Sequence, residues 1–142
     1  MLLVVALLAG CASTAAPTDS IAPTPTDTTT PFTAVQAGDC FDEVDGDSVE
    51  IVDCESTHGY EVFASLLVAD GDYDRTAIGA EAKARCLASF GTFVGIEYDA
   101  SVLGLRYVAP SRDTWDQGDR EVLCLVFDPE GPMEGSLAGA AR

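Results

Sequence analysis

Five cysteines set the strongest constraint on this chain, at positions 11, 40, 54, 86 and 124. The first stands apart. Leu8-Ala9-Gly10-Cys11 follows the apolar run Met1 to Leu7. An apolar stretch ending in small residues and a thiol reads as a lipoprotein signal, with residues 1–10 removed and Cys11 the lipidated nucleophile. The run is too short for a membrane span, which needs about 20 residues. Four cysteines then remain, and an even number in an exported domain implies two disulfides with three possible pairings.

The sequence around each cysteine narrows the pairing. Cys40 to Val44 and Val49 to Cys54 flank Asp45-Gly46-Asp47-Ser48, a glycine-containing turn between β-rich runs. Folding this hairpin brings residue 40 opposite 53–54, which favours Cys40–Cys54. Ile78, Ala82, Cys86, Phe90 and Phe93 recur at helical spacing within Thr76 to Phe93. Cys124 lies in the apolar run Val122 to Phe127, read as a central strand. A Cys86–Cys124 bond would staple that helix to the sheet. Zinc is disfavoured, because successive cysteines are separated by 13, 31 and 37 residues rather than by close ligand pairs.

Residues 11–31 begin at the lipidated cysteine and continue as a Thr-, Pro- and Ala-rich segment that cannot bury enough surface to offset its ordering entropy. They are expected to form a tether to the membrane. The Gly- and Ala-rich residues 129–142 are expected to be disordered. The folded unit is then 32–128, about the size that supports one core.

Within it the order is two hairpin strands, a third strand at Glu61 to Val68, the helix, and two strands at Val102 to Val108 and Glu121 to Phe127. Asp74 or Thr76 is placed to cap the helix. The expectation is an α+β fold, a mostly antiparallel sheet of about five strands covered by one helix and stapled by two disulfides.

The chain carries 24 acidic against 7 basic residues, a net charge of −17. Nucleic acid is excluded as an expected partner, and so is an electrostatic grip on anionic lipids. The expected attachment to the membrane is the N-terminal lipid, on the outer face of the plasma membrane.

Several segments are similar to the septum-formation domain family of envelope proteins in high-GC Gram-positive bacteria. They are Gly38-Asp39-Cys40-Phe41, then Cys54-Glu55-Ser56-Thr57-His58-Gly59-Tyr60-Glu61-Val62, the helical Cys86, and Trp115-Asp116-Gln117-Gly118-Asp119-Arg120-Glu121-Val122-Leu123-Cys124. These motifs span residues 38–127. Thr57 stands where the family often has proline. The resemblance implies an extracytoplasmic, membrane-associated domain linked to cell division, with an envelope or division protein as partner. The family has no established enzymatic activity, so the resemblance carries no catalytic roles to this chain.

The residues themselves offer few chemical centres. His58 is the single histidine, near Ser56, Thr57 and Glu61. No nucleophile-elbow motif accompanies it. Its expected role is structural, bonding a backbone carbonyl or a carboxylate, with an envelope-polymer hydrolase using His58 and Glu61 as the rival reading. Glu61 and Arg120 are expected to form an ion pair beside the disulfides, next to Asp119 and Trp115. Asp70, Asp72, Asp74 and Glu81 fall at positions 1, 3, 5 and 12 of a calcium loop, which makes a calcium-responsive sensor the second rival. Arg75 occupies the position where such a loop needs glycine, so no metal and no cofactor is expected. Trp115, Tyr107 and Tyr98 are the aromatic candidates for a sugar- or peptide-binding face, with core packing or edge covering the expected role of Trp115. The reading as a whole is a non-catalytic binding or scaffold domain.

Overall fold

The computed structural model describes residues 29–43 and 48–142. The expected signal, the expected lipidated Cys11, the expected tether up to residue 28 and residues 44–47, which hold most of the expected hairpin turn, lie outside the described residues. Six strands form one antiparallel sheet in the order β1-β3-β2-β4-β6-β5. They are β1 (Thr29–Pro31), β2 (Cys40–Glu43), β3 (Ser48–Val52), β4 (Tyr60–Leu67), β5 (Gly104–Val108) and β6 (Glu121–Phe127). One long helix, α1 (Arg75–Val94), and one short helix, α2 (Arg112–Asp116), complete the α+β fold.

A sixth strand joins the expected sheet of about five. Thr29 and Thr30, assigned above to the tether, pair with Glu50 and Val49 of β3. Two β-branched residues suit the pleat, and Pro31 is tolerated because β1 is an edge strand.

Helix α1 forms where its cap and stripe predict. Asp74 accepts from the backbone N–H groups of Thr76 (2.9 Å) and Ala77 (3.0 Å), satisfying two otherwise orphaned donors. Gly95 ends the helix with φ +95°, a left-handed conformation that favours glycine. The buried stripe is Ile78, Ala82, Cys86, Phe90 and Val94, with Phe93 only partly buried beside it.

Strand β6 is central, as its continuous apolar run predicts. Val122, Cys124 and Val126 face α1, and Leu123 and Leu125 face the other side. A register shift between Val62 and Ala64 of β4 places both Phe63 and Ala64 toward α1. Among the described residues no long helix covers the opposite face. Phe32 and Val35, in the turn after β1, pack over Phe41, Val49, Val62, Leu123 and Leu125 instead. Phe32 meets Phe41 edge-on, and Phe41 stacks on Tyr60.

Both disulfides pair as expected. Cys40–Cys54 has Cα atoms 5.1 Å apart and Cys86–Cys124 5.5 Å apart. The hairpin register sets Cys40 opposite Val52, so the bond reaches just past the end of β3.

The expectation of a disordered segment at 129–142 is overturned. Met133 and Leu137 are buried with Phe90, Val94 and Leu103. Met133 exchanges two 2.9 Å backbone bonds with His58. Gly135 donates to the Cys54 carbonyl, Gly139 to Phe93 and Ala141 to Val94. Arg142 pairs with Asp128 at 2.8 Å, and that carboxyl is held below its usual range by the Glu130 N–H and by Arg142. Composition misleads here because two apolar side chains, four residues apart, anchor a segment made otherwise of small, proline and charged residues.

Candidate functional site

The expected cluster of His58, Glu61, Asp119, Arg120 and Trp115 is divided between two ends of the sheet. Glu61 begins β4 and Arg120 precedes β6. Because β4 and β6 are antiparallel, Glu61 lies opposite Val126, while Val68, at the far end of β4, bonds the Arg120 carbonyl. The proposed Glu61–Arg120 ion pair therefore does not form. Two residues at the starts of antiparallel neighbours lie at opposite ends of the pair.

At the first end, His58 is 0% exposed and Glu61 3% exposed. His58 Nδ1 lies 2.8 Å from the Ser56 carbonyl oxygen. A bond to a carbonyl places a proton on Nδ1, and Nε2 is buried with no partner among the described residues. Glu61 accepts from Ser136 Oγ (2.6 Å) and from the buried backbone N–H of Leu137 (2.7 Å). The C-terminal segment thus closes over both residues. Glu61 also lies with Cys40 and Cys54 in a cluster whose ligand atoms are within 4.8 Å of one another. Those sulfurs are bonded to each other. They are not the thiolates a soft metal needs.

At the second end, Arg120 is fully committed. Its Nε and Nη2 bond Asp70 Oδ1 at 2.9 and 2.7 Å, and its Nη1 bonds the carbonyls of Trp115 (2.8 Å) and Asp119 (2.6 Å). The guanidinium lies 3.6 Å from the centroid of the Trp115 ring, a cation–π stack. Trp115 donates Nε1–H to the Gly71 carbonyl, and Asp119 caps the Glu121 N–H. Arg120 holds the Asp70 carboxyl below its usual range, through its hydrogen bond first and its charge second. These contacts pin the loop at 70–74 onto α2, so Trp115 has the packing role expected of it.

The four carboxylates of the calcium-loop reading are dispersed. Asp70 binds Arg120, Asp74 caps α1, and Glu81 pairs with Arg85 at 3.2 Å. The aromatic candidates separate too. Tyr98 packs on Phe90, whereas Tyr107 is exposed beside α1.

Two surface clefts flank the end of β5. One, of about 660 Å³, is lined by Tyr73, Arg75 and Gly79 on one side and by Tyr107, Pro110 and Arg112 on the other. The second, of about 320 Å³, lies between Phe32 and the residues Val108, Thr114 and Leu123. Sequence reasoning singled out Tyr107 but neither arginine of the larger cleft.

Together these features define a small, disulfide-stapled α+β domain whose sheet is covered by a helix on one face, by Phe32 and Val35 on the other, and by the 129–142 segment at one end. The septum-formation family profile matches residues 37–140, and the chain belongs to that family. The match runs past residue 128 into the C-terminal segment that Glu61 and His58 hold. Membership links the chain to septum formation. No curated protein and no solved structure matches the chain.

Proposed function

We propose that this protein is a lipid-anchored envelope protein on the outer face of the plasma membrane, whose domain serves septum formation as a binding or scaffold module without catalysis. One observation carries the non-catalytic reading. His58 and Glu61, the residues best suited to acid–base chemistry, are buried and engaged by backbone groups and by the C-terminal segment. A general base must reach the proton it abstracts. Here Nδ1 is already committed to the Ser56 carbonyl, and Nε2 is buried. The anchor rests on Leu8 to Cys11, and confinement at the membrane would raise the effective concentration of domain and partner.

The test is the position of the full-length protein in dividing cells, tagged with a fluorophore that matures outside the cytoplasm. Enrichment at the septum is expected, lost on deletion of residues 32–142 but with the anchor retained. Cys11→Ala should release the protein from the membrane. Uniform membrane signal would remove the septal role, and membrane retention of Cys11→Ala would remove the lipid anchor. Detectable turnover of envelope polymers abolished by His58→Ala, at unchanged melting temperature, would restore the hydrolase.

A further inference from the structure

Strand β5 ends the sheet, and no strand among the described residues pairs with its outer edge. An open edge offers a row of backbone donors and acceptors to an extended chain. The larger cleft opens between the last residues of this strand and the first turns of α1. Arg75, Ile78 and Gly79 share one helix face through i, i+3 and i+4 spacing. Tyr107 rises from the strand, and its hydroxyl lies over Gly79, 3.1 Å from where a Cβ would stand.

The charges in this cleft depart from those of the chain. Arg85, Arg106, Arg120 and Arg142 each hold a carboxylate, at 3.2, 3.0, 2.7 and 2.8 Å. Arg75 has no carboxylate within 4.0 Å among the described residues. Arg112 meets Asp116 only at 4.0 Å, with the two side chains 62% and 63% exposed. Such a pair contributes little. Arg112 is also set 4.7 Å from the centroid of the Tyr73 ring, which orients its guanidinium. Among the residues that line the cleft the two arginines stand with one acid, Asp113, and Asp116 lies 4.0 Å from Arg112. In a chain with 24 acids and 7 bases, this is a local relief from the prevailing negative charge.

Guanidinium groups recognise carboxylates through paired N–H bonds, and a free strand edge recognises an extended peptide. We infer that the cleft binds an extended peptide that adds to the edge of β5 and sets its free C-terminal carboxylate between Arg75 and Arg112. The inference rests on the reading of the domain as a binding module and names the ligand class. An acidic saccharide would share the carboxylate but would leave the strand edge unused, so the peptide is favoured.

The test uses the full chain with its disulfides formed, immobilised on a support. Three probes are compared. They are a mixture of hexapeptides with randomised positions and a free C-terminal carboxylate, the same mixture amidated, and an oligoglucuronate. The free-acid peptides are expected to be retained about tenfold more than the amides, reflecting a charge-assisted bidentate contact. Arg75→Gln and Arg112→Gln, both at exposed positions, should each remove most of that preference with the urea midpoint unchanged. Methylating alternate peptide nitrogens should abolish retention. Equal retention of acid and amide, retention untouched by either substitution, or no peptide retention would each overturn the inference. Retention of the oligoglucuronate alone would assign the arginines to a sugar and overturn it as well. Septal enrichment that persists in any of these cases would leave the septal binding-module reading standing, whereas its absence would remove the septal role independently.

Discussion

The latch between Glu61 and the C-terminal segment makes the sharpest prediction. Glu61 is buried and accepts two hydrogen bonds, one from the buried N–H of Leu137 and one from the exposed residue Ser136. Replacing Glu61 by alanine leaves the Leu137 N–H buried without a partner. A hydrogen bond to a charged group contributes about 1.5–3 kcal/mol when buried, and the Ser136 bond, nearer solvent, about 1 kcal/mol. Glu61→Ala should therefore cost about 3 kcal/mol, against a typical total of about 5–15 kcal/mol. With a urea slope near 2 kcal/mol/M, the midpoint should fall by about 1.5 M. Ser136→Ala alone should cost about 1 kcal/mol. The double variant should cost less than the sum of the two, because the hydroxyl has already lost its acceptor and keeps only the bond it accepts from Ala138 N–H at 3.1 Å. Urea unfolding of the oxidised full chain measures all three. Amide exchange at Leu137 should accelerate in Glu61→Ala beyond the rate set by global unfolding, since the segment is released first. Strict additivity of the two substitutions, or a Glu61→Ala cost below about 0.5 kcal/mol, would refute the latch.

Loop lengths rank the two cross-links. Chain entropy assigns about 4 kcal/mol to Cys86–Cys124 and about 3 kcal/mol to Cys40–Cys54, from separations of 38 and 14 residues. Paired Cys→Ala variants should follow that order in denaturant, and the reverse order would mean that local packing outweighs loop closure. Asp70→Asn should destabilise the protein at pH 6 but much less at pH 2.5. The folded carboxyl titrates below its ordinary value of 3.8, so its contribution is complete above that value and is lost as pH falls through the folded value. A difference independent of pH would discard the Asp70–Arg120 coupling. Gly104→Ala would drive a methyl group into the Phe127 ring, at a cost of about 1–3 kcal/mol in thermal or urea unfolding. A neutral result would show that the ring swings aside.

Much of this architecture is written locally and is legible for that reason. The stripe from Ile78 to Phe90, the Asp74 cap and the run Val122 to Phe127 carry their structure in residue spacing. Both disulfides followed once a hairpin and a helix–sheet contact were in place. What escaped depends on direction and on borrowed partners. Thr29 to Pro31 has little strand signal of its own and becomes a strand only because β3 offers an edge. The Glu61–Arg120 pair failed because strand order in sequence does not state which ends meet. The C-terminal segment escaped because Met133 and Leu137 are sparse in a Gly-Ala background, and their burial needs the surfaces of α1 and the His58 turn. The arginine cleft is a tertiary juxtaposition of Arg75 and Arg112, thirty-seven positions apart in the sequence.

The two chain ends hold the domain in different ways, and the difference matters for a protein anchored at its N-terminus, as proposed. Tension along the tether would reach β1 first. That strand has three residues, one of them a proline without a donor, and it sits on the sheet edge where its bonds open one at a time. Phe32 and Val35 come next, held by packing over the open face of the sheet. Peeling would then meet Cys40, which is tied covalently to Cys54 at the start of the turn that leads to His58. Beyond that bond lie His58 and Glu61, each bound to the C-terminal segment, and behind them the doubly buried β6. The sequence of resistances rises from edge to centre. A compliant first strand would absorb displacement of the membrane, while the disulfide would stop unravelling before it reached β4 and β6. The cleft at β5, on the opposite terminal strand of the sheet, would keep its shape while the tether moved.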